Sequence, residues 1–289
     1  MKAELVLDCR NEHGEGILWN AADRRVWWTD IHGKALWSYD PATGAAKRHP
    51  TPAAIGCFAP RHDGPFIAAF IDGFALYDPI SGKRDDIAPF EPDLPQTRLN
   101  DGRTDRQGRF IAGGMDEKDL SPISSVWRLD PDLTLTRLFG SVRCANSTCF
   151  SPDGRTMYFA DSPEGEIVAF DYDTETGALG EKRSLARIEA GRGVPDGSCV
   201  DSEGYLWNAV WEGYRVERFA PDGRIDMTIE VPVEKPTCVA FGGPDLATLY
   251  ITTSRLGSSA DRLEREPQSG GLYAVVPGVR GLVDAAFAG

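Results

Sequence analysis

The chain of 289 residues has no long apolar run, and this absence excludes several classes of protein. No segment approaches the ~18 consecutive apolar residues that a membrane-spanning helix requires. The first residues, MKAELVLDCR, hold one lysine and a short apolar stretch interrupted by Glu4 and Asp8, which does not fit a secretory signal peptide. We therefore expect a cytoplasmic protein with no membrane partner.

Basic residues are also fewer than acidic residues. The chain has 31 Lys and Arg against 44 Asp and Glu, for a net charge of −13. Nucleic acids are bound by basic surfaces, because the phosphate backbone has to be neutralised. The composition therefore predicts no nucleic-acid partner.

Cysteine pairs and catalytic histidine patterns are missing as well. The six cysteines are scattered with no CxxC spacing, which predicts reduced thiols rather than a disulfide framework or a zinc finger. The four histidines form no HExxH motif and no evident Ser-His-Asp set. We interpret them as surface residues in turns, except His13, which adjoins Glu15.

Helical periodicity is almost absent, and a repeat takes its place. Each repeat has a turn, a short apolar strand, a second turn and an alternating strand, as in SPDGRTMYFADSPEGEIVAFDYD. Such a unit recurs six times, roughly 40 to 50 residues apart, which is typical of β-propeller blades. The repeats begin at Asn20, Arg61, Asp105, Ser151, Asp201 and Gly242.

We therefore predict an all-β fold, a single six-bladed β-propeller domain over residues 1–289. The N-terminal strand Ala3–Asp8 is expected to pair into the last blade, which would leave no open edge. The polar segment Arg255–Ser269 lacks alternation and is predicted to be an exposed loop within that blade.

Aligning the repeats places six residues at equivalent positions, at the start of the innermost strands. Such positions form a ring around the central channel of a propeller. The residues are Glu15, Gly56 (Ala54 in an alternative register), Asn100, Asn146, Asp196 and Lys235. Cysteines follow three positions after the last three of these, and we interpret them as small apolar filler between blades.

Two carboxylates and two amides in one channel require an explanation, because buried charges are costly unless they are paired or bound to a cation. One interpretation is that they bind ordered water. The other is an oxygen-rich site for one divalent metal ion held by Glu15, Asn146 and Asp196. The residue types admit Ca, Zn, Mn, Mg or Fe(II).

Four motifs then show a resemblance that covers nearly the whole chain. They are HGEGILW (13–19), TRLNDGRTDRQGRFIAGGM (97–115), ANSTCFSPDGRTMYFADS (145–162) and PDGSCVDSEGYLW (195–207). In this set and order they resemble the gluconolactonase/regucalcin (senescence marker protein) family, nearest to its bacterial sugar-lactonase branch. The resemblance implies a six-bladed propeller that hydrolyses sugar lactones with one channel metal.

The resemblance also implies roles for individual residues. The metal ligands match Glu15, Asn146 and Asp196, and the substrate-contacting pair matches Arg98 and Asn100, with Asp101 beside them. Where animal members carry an acidic residue after the GTM motif, this chain has Lys118, unless Asp116 or Glu117 serves instead. Lys118 at the substrate would favour a lactone with a second anionic group, whereas an exposed loop lysine is the plainer interpretation.

The functional hypothesis is metal-dependent hydrolysis of a sugar-acid lactone, a small-molecule substrate. Asp196 is the expected general base, and Arg98 and Asn100 are expected to donate hydrogen bonds to the substrate. A salt bridge to a neighbouring carboxylate is the structural alternative for Arg98. The competing functions are an arylesterase-type hydrolase and a calcium-binding regulatory propeller.

Overall fold

Alternating strand segments and Gly- or Pro-containing turns form twenty-four β-strands in the computed structural model, which describes residues 1–289. They assemble into six four-stranded sheets, and their strands pair antiparallel. The structure is the predicted six-bladed β-propeller.

The first three blades each use four consecutive strands. Blade 1 contains β2 (Gly14–Asn20), β3 (Arg25–Asp30), β4 (Ala35–Asp40) and β5 (Ala45–Pro50). Blade 2 contains β6 (Ile55–Ala59), β7 (Phe66–Phe70), β8 (Gly73–Tyr77) and β9 (Arg84–Pro89). Blade 3 contains β10 (Thr97–Thr104), β11 (Phe110–Asp116), β12 (Ser124–Leu129) and β13 (Leu135–Val142).

Blades 4 and 5 follow the same order, and blade 6 borrows a strand. Blade 4 contains β14 (Ala145–Phe150), β15 (Thr156–Asp161), β16 (Glu166–Tyr172) and β17 (Leu179–Arg187). Blade 5 contains β18 (Val194–Val200), β19 (Leu206–Trp211), β20 (Arg215–Phe219) and β21 (Ile225–Glu230). Blade 6 contains β22 (Pro236–Gly242), β23 (Thr248–Thr253), β24 (Leu272–Val275) and the N-terminal β1 (Glu4–Leu7).

The pairing of β1 with β24 confirms the predicted ring closure. Glu4 lies opposite Ala274 and Leu5 lies opposite Tyr273, so residues from the two ends of the chain complete one sheet. The last blade therefore carries the N-terminal strand on its outer edge, and the ring closes without a gap.

The hydrophobic core is divided among the six interfaces between neighbouring blades. Six separate clusters of buried apolar side chains each draw their members from two adjacent blades. Cys149, Cys199 and Cys238 belong to three of these clusters, as expected for small apolar filler. The innermost strands are thus covered on both faces, which explains why β14 and β22 are buried along their whole length.

Every innermost strand carries a β-bulge near its start. The register shifts by one residue in β2, β6, β10, β14, β18 and β22. A bulge leaves one residue unpaired and re-aims the neighbouring side chains. The bulge therefore lies at an equivalent position in all six blades.

The opposite end of the channel is closed by the C-terminal segment. Gly281 bridges to Asp201, Asp284 forms an ion pair with Arg103, and the Phe287 amide donates to the Pro60 carbonyl at 2.8 Å. A residual cavity of about 20 Å³ beside Arg103 has room for about one water molecule. The C-terminal segment does not cover the other end, where the innermost strands begin, and that end is open.

The prediction for Arg255–Ser269 was wrong in part. The segment is largely exposed, but it contains the helix α1 (Ala260–Arg265). The Ser259 side chain accepts a hydrogen bond from the Arg262 amide at 3.2 Å and caps the helix N-terminus, a local signal independent of apolar periodicity. No helix of the chain has the length and apolar character needed to cross a membrane.

Candidate active site at the open end of the channel

A cavity of about 360 Å³ occupies the open end of the channel. Its size is within the usual range for small-molecule sites. Its polar lining comes mainly from the starts of the innermost strands, and apolar side chains form part of its wall. The lining residues are His13, Glu15, Arg98, Asn100, Met115, Leu120, Cys144, Asn146, Ser162, Pro163, Val194, Asp196, Trp211, Glu212 and Leu256.

Glu15 and Asp196 are brought into this cavity by the bulges of β2 and β18. Gly16 has a φ of 56°, a left-handed conformation that glycine adopts without strain. A Cβ on Gly197 would lie 2.4 Å from the Cys238 sulfur, so only glycine allows blades 5 and 6 to approach this closely. The Asp-Gly pair at 196–197 thus combines a channel carboxylate with a tight contact between blades.

The two carboxylates are buried without a compensating cation. Glu15 is 6% exposed and Asp196 is 5% exposed, and neither forms an ion pair. Burial, followed by the charge of Asp101, raises the pKa of Glu15 from 4.5 to about 8. Burial, followed by the charges of Glu15 and Asp101, raises the pKa of Asp196 well above its usual value. The protein alone thus does not stabilise both groups in the ionised state.

Asn146 is held beside these acids by an amide network. Its Nδ2 donates to the Ser162 hydroxyl at 2.8 Å, and that hydroxyl donates to the Pro195 carbonyl at 2.7 Å. Its Oδ1 accepts a hydrogen bond from Asn100 Nδ2 at 3.3 Å. The orientation of the amide is therefore set, with Oδ1 retaining a second lone pair.

Arg98 and Asn100 form a connected pair on the β10 wall. Arg98 Nη1 donates to Asn100 Oδ1 at 2.7 Å, and Arg98 Nε donates to Glu117 at 2.6 Å. The ion pair with Glu117 is the salt bridge that the sequence analysis gave as the structural alternative for Arg98. Arg98 nevertheless lines the cavity, and its Nη2 has no protein partner. Asn100 uses both polar atoms within the protein, since Nδ2 also donates to the Ala145 carbonyl at 2.9 Å.

Asp101 and Lys118 do not line the cavity. Asp101 is buried, its Oδ2 accepts from the Thr148 amide at 2.8 Å, and burial raises its pKa. It acts on Glu15 and Asp196 through its charge. Lys118 is exposed in the turn after β11, and Glu117 in the same turn is the residue that contacts Arg98.

The other two ring positions contribute no polar group to the cavity lining. Gly56 lies at the bulge of β6, where a Cβ would be 2.6 Å from the Asn100 carbonyl oxygen, so this register needs glycine. Lys235 precedes β22, and its Nζ donates to the Leu256 carbonyl at 2.8 Å and lies 5.0 Å from the centre of the Trp211 ring.

Ten of the fifteen lining residues were not assigned to the site from the sequence. They include Cys144, Ser162, Trp211 and His13, of which only His13 was singled out there. Burial, followed by the charge of Asp196, raises the pKa of the Cys144 thiol to about 12, so the thiol stays protonated. Ser162 follows the second strand of blade 4, and Trp211 ends the second strand of blade 5. The repeat alignment could have identified both residues from this shared position.

The donor set fits a hard divalent cation. Two buried carboxylates with raised pKa values and the oriented amide of Asn146 line one cavity, and neither carboxylate forms an ion pair with Arg98, the basic residue of the lining. No cluster of three His, Cys, Asp or Glu side chains suited to a metal occurs in the chain, and the third oxygen donor beside the two acids is the amide of Asn146. Carboxylate and carbonyl oxygens suit Ca²⁺, Mg²⁺ and Mn²⁺.

Comparison with known proteins identifies a family. Residues 13–255 match the model of the SMP-30/gluconolactonase/LRE-like region. The chain is 40% identical to an L-arabinolactonase of Azospirillum brasilense, over 100% of this chain and 96% of the relative. It is 36% identical to a 6-deoxy-6-sulfogluconolactonase of Pseudomonas putida, over 96% of this chain and 95% of the relative.

A solved structure agrees with this comparison. The crystal structure of a calcium-binding protein, regucalcin, from Agrobacterium tumefaciens superimposes with a TM-score of 0.94 at 30% identity. The similarity covers 99% of this chain and 97% of that protein. Fold and sequence therefore place the chain among the same relatives over its full length.

Proposed function

The chain belongs to the SMP-30/gluconolactonase/LRE-like family, and from this premise we propose that it hydrolyses the lactone of a sugar acid to the open-chain acid. The observation that carries the proposal is the pair of buried, unpaired carboxylates, Glu15 and Asp196, on one open cavity. A scaffold protein gains nothing from such a pair, because its burial opposes folding.

The cavity fits a small polyhydroxylated ring. Arg98 and His13 supply polar atoms, and the indole of Trp211 and the side chain of Met115 supply an apolar wall. A sugar lactone has hydroxyl groups at its rim and a C–H face that can pack on an indole. One five- or six-carbon lactone would thus contact the polar atoms through its hydroxyl groups and the apolar wall through its C–H face.

We propose that Glu15, Asp196 and Asn146 hold one divalent cation. Such an ion supplies Lewis acidity toward a carbonyl and lowers the pKa of a water molecule. All three ligands are oxygen donors, and the proposed ion is therefore Ca²⁺, Mg²⁺ or Mn²⁺ before Zn²⁺ or Fe²⁺.

Asp196 is the proposed general base. A lactone is a cyclic ester, so its hydrolysis requires a proton to leave the attacking water and a proton to reach the ring oxygen. The carboxylate of Asp196 forms no ion pair and hydrogen-bonds to the neighbouring acid Glu15, so in its ionised form it can accept the first proton and later return it. Its backbone is held by Ser147 and Asn208, which donate to the Asp196 carbonyl at 2.6 and 2.9 Å.

Arg98 is the proposed electrostatic partner of the substrate. Its unpartnered Nη2 can donate to a hydroxyl or to the oxygen that gains negative charge when water attacks. Asn100 then acts as a positioning residue, because it orients both Arg98 and Asn146 through its amide. The buried Asp101 contributes negative charge that favours cation binding.

We propose a neutral aldonolactone as the substrate. Arg98 is paired with Glu117 and keeps one free donor, Nη2. Lys118 and Lys235 lie outside the lining, so the cavity offers no second cation to an additional anionic group. The L-arabinolactonase relative has a neutral lactone in its name, whereas the sulfogluconolactonase relative shows that the family also includes enzymes named for anionic lactones.

The second candidate is calcium binding without catalysis, which the calcium-binding regucalcin of Agrobacterium tumefaciens favours. The test is acid release from neutral and anionic aldonolactones by the purified protein, with Asp196→Asn and Asp284→Asn in parallel. Asp284 is also a channel carboxylate, but it is paired with Arg103 at the closed end. Turnover that is lost in Asp196→Asn and kept in Asp284→Asn supports the lactonase. No turnover by the wild type, despite bound calcium, supports the binding function.

A further inference from the structure

His13 is a buried polar residue of the cavity that takes no part in the proton transfers proposed above. Its side chain lines the cavity and the residue is 7% exposed. Two aromatic rings pack against it, His32 at 5.7 Å and Trp211 at 5.5 Å between ring centres. The imidazole is therefore fixed in position rather than mobile.

Ser254 is the hydrogen-bond partner of one ring nitrogen of His13. Nδ1 of His13 lies 2.9 Å from the Ser254 hydroxyl. That hydroxyl donates its single proton to the Glu12 carbonyl at 2.9 Å and accepts from the Leu256 amide at 3.0 Å. All three contacts are satisfied together only if Nδ1 donates its proton to the hydroxyl.

The other ring nitrogen has no protein partner. Nε2 forms no hydrogen bond with any protein atom, and it is not one of the fully buried unpartnered atoms, so it is accessible from the cavity that His13 lines. Ligand cavities orient their ligands through a small number of such free polar groups, so Nε2 is available to a group of the ligand. A hydroxyl group, which donates and accepts, is a suitable partner for an imidazole nitrogen.

We infer that His13 is a substrate-binding residue whose Nε2 forms a hydrogen bond with one hydroxyl group of the bound lactone. This inference rests on the proposed lactonase function, and it adds a residue that selects among lactones by their hydroxyl pattern. A site built to bind a particular hydroxyl discriminates against the analogue that lacks it, because its polar atom is then left unpaired.

Two substitutions of His13 test the roles of Nδ1 and Nε2 separately. In His13→Asn the side-chain amide can replace Nδ1 as a donor to Ser254, but nothing replaces Nε2. In His13→Gln the longer side chain can place its amide near the position of Nε2. Both are assayed on a set of pentono-1,4-lactones and on their 2-, 3- and 5-deoxy counterparts, with kcat and KM measured separately.

The expected result is a loss that depends on one hydroxyl. His13→Asn should lower kcat/KM about three- to ten-fold on the full lactone, mainly through KM, as for one lost hydrogen bond. On the deoxy-lactone that lacks the partner hydroxyl this loss should disappear, since the contact is already absent. His13→Gln should recover part of the loss on the full lactone.

An equal loss on every lactone would overturn the inference, because a structural effect on the cavity does not depend on a single hydroxyl. An unchanged kcat/KM of a folded His13→Asn variant on all lactones would overturn it as well. If the wild-type protein opens no lactone at all, the proposed function fails instead, so the two failures are distinguishable.

Discussion

Strand β18 and the turn that follows it carry two buried aspartates, and their surroundings are opposite. Asp201, at the closed end of the channel, accepts hydrogen bonds from the Tyr205 amide at 3.0 Å and the Trp207 indole at 2.9 Å. It also forms an ion pair with Arg218 at 2.7 Å. Asp196, at the open end, has no ion pair and faces Glu15, a second acid.

The difference separates a structural charge from a functional one. A buried charge that is completely paired holds two strands together, and breaking such a pair is strongly destabilising. A buried charge left unpaired opposes folding, and it is retained only where something outside the protein compensates it. We therefore propose a structural role for Asp201 and a functional role for Asp196, five positions earlier, because only Asp201 has an ionic partner.

The largest expected effect comes from removing the unpaired charge. Asp196→Asn should lower kcat about 10²- to 10⁴-fold, the usual contribution of a general base. The metal-free variant should unfold at the same temperature as the metal-free wild type or higher, because one of two repelling acids is gone. Lactone assays and thermal unfolding monitored by circular dichroism measure both quantities. Near-normal turnover would remove Asp196 as the base.

Removing the paired charge of Asp201 should lower stability and leave turnover unchanged, the reverse of the result expected for Asp196→Asn. Asp201→Ala leaves Arg218 with fewer partners and the Trp207 indole without an acceptor, so the free energy of unfolding should fall by about 3 kcal/mol. Turnover per folded molecule should stay close to that of the wild type. Urea denaturation together with lactone assays tests this, and a stable Asp201→Ala protein would contradict the comparison.

The pH dependence of stability should reveal the repelling acids. The folded state raises the pKa of Glu15 from 4.5 to about 8, so it favours the protonated carboxyl. The contribution of Glu15 to the stability of the metal-free protein should therefore be fully present at and below pH 4.5 and should be lost as the pH rises through about 8. Glu15→Gln should flatten this slope. An equally steep slope in the variant would assign the dependence to other groups.

The smallest effect is expected at Lys118. Because its side chain is exposed outside the cavity lining, Lys118→Ala should change kcat/KM for a neutral lactone by less than about two-fold. A selective loss on lactones with a second anionic group would instead restore the substrate contact that the family alignment suggested. Matched neutral and anionic lactones make this comparison within one assay.

Much of the fold could be predicted from the sequence, because turn residues and alternation are local signals that repeat six times. The repeat alignment also selected Glu15, Asn146 and Asp196, which the structure brings to one cavity. The pairing of β1 with β24 followed from the need of a closed ring to cover its last edge.

The rest depended on contacts that no local pattern contains. The turn after β11 places Glu117 rather than Lys118 against Arg98, and this choice is set by the path of a loop. The partner of His13 is Ser254, which lies 241 positions away. The helix α1 was missed because it is short and exposed and is specified by its Ser259 cap rather than by an apolar face.

The most direct test of the account is to strip the protein with a chelator and restore Ca²⁺, Mg²⁺, Mn²⁺, Zn²⁺ or Fe²⁺ one at a time. Lactone hydrolysis and the unfolding temperature are measured for each ion. The account predicts that a single hard cation restores hydrolysis and raises the unfolding temperature of the wild type but not of the Asp196→Asn variant. Full hydrolysis by the stripped protein, with no response to any ion, would contradict it.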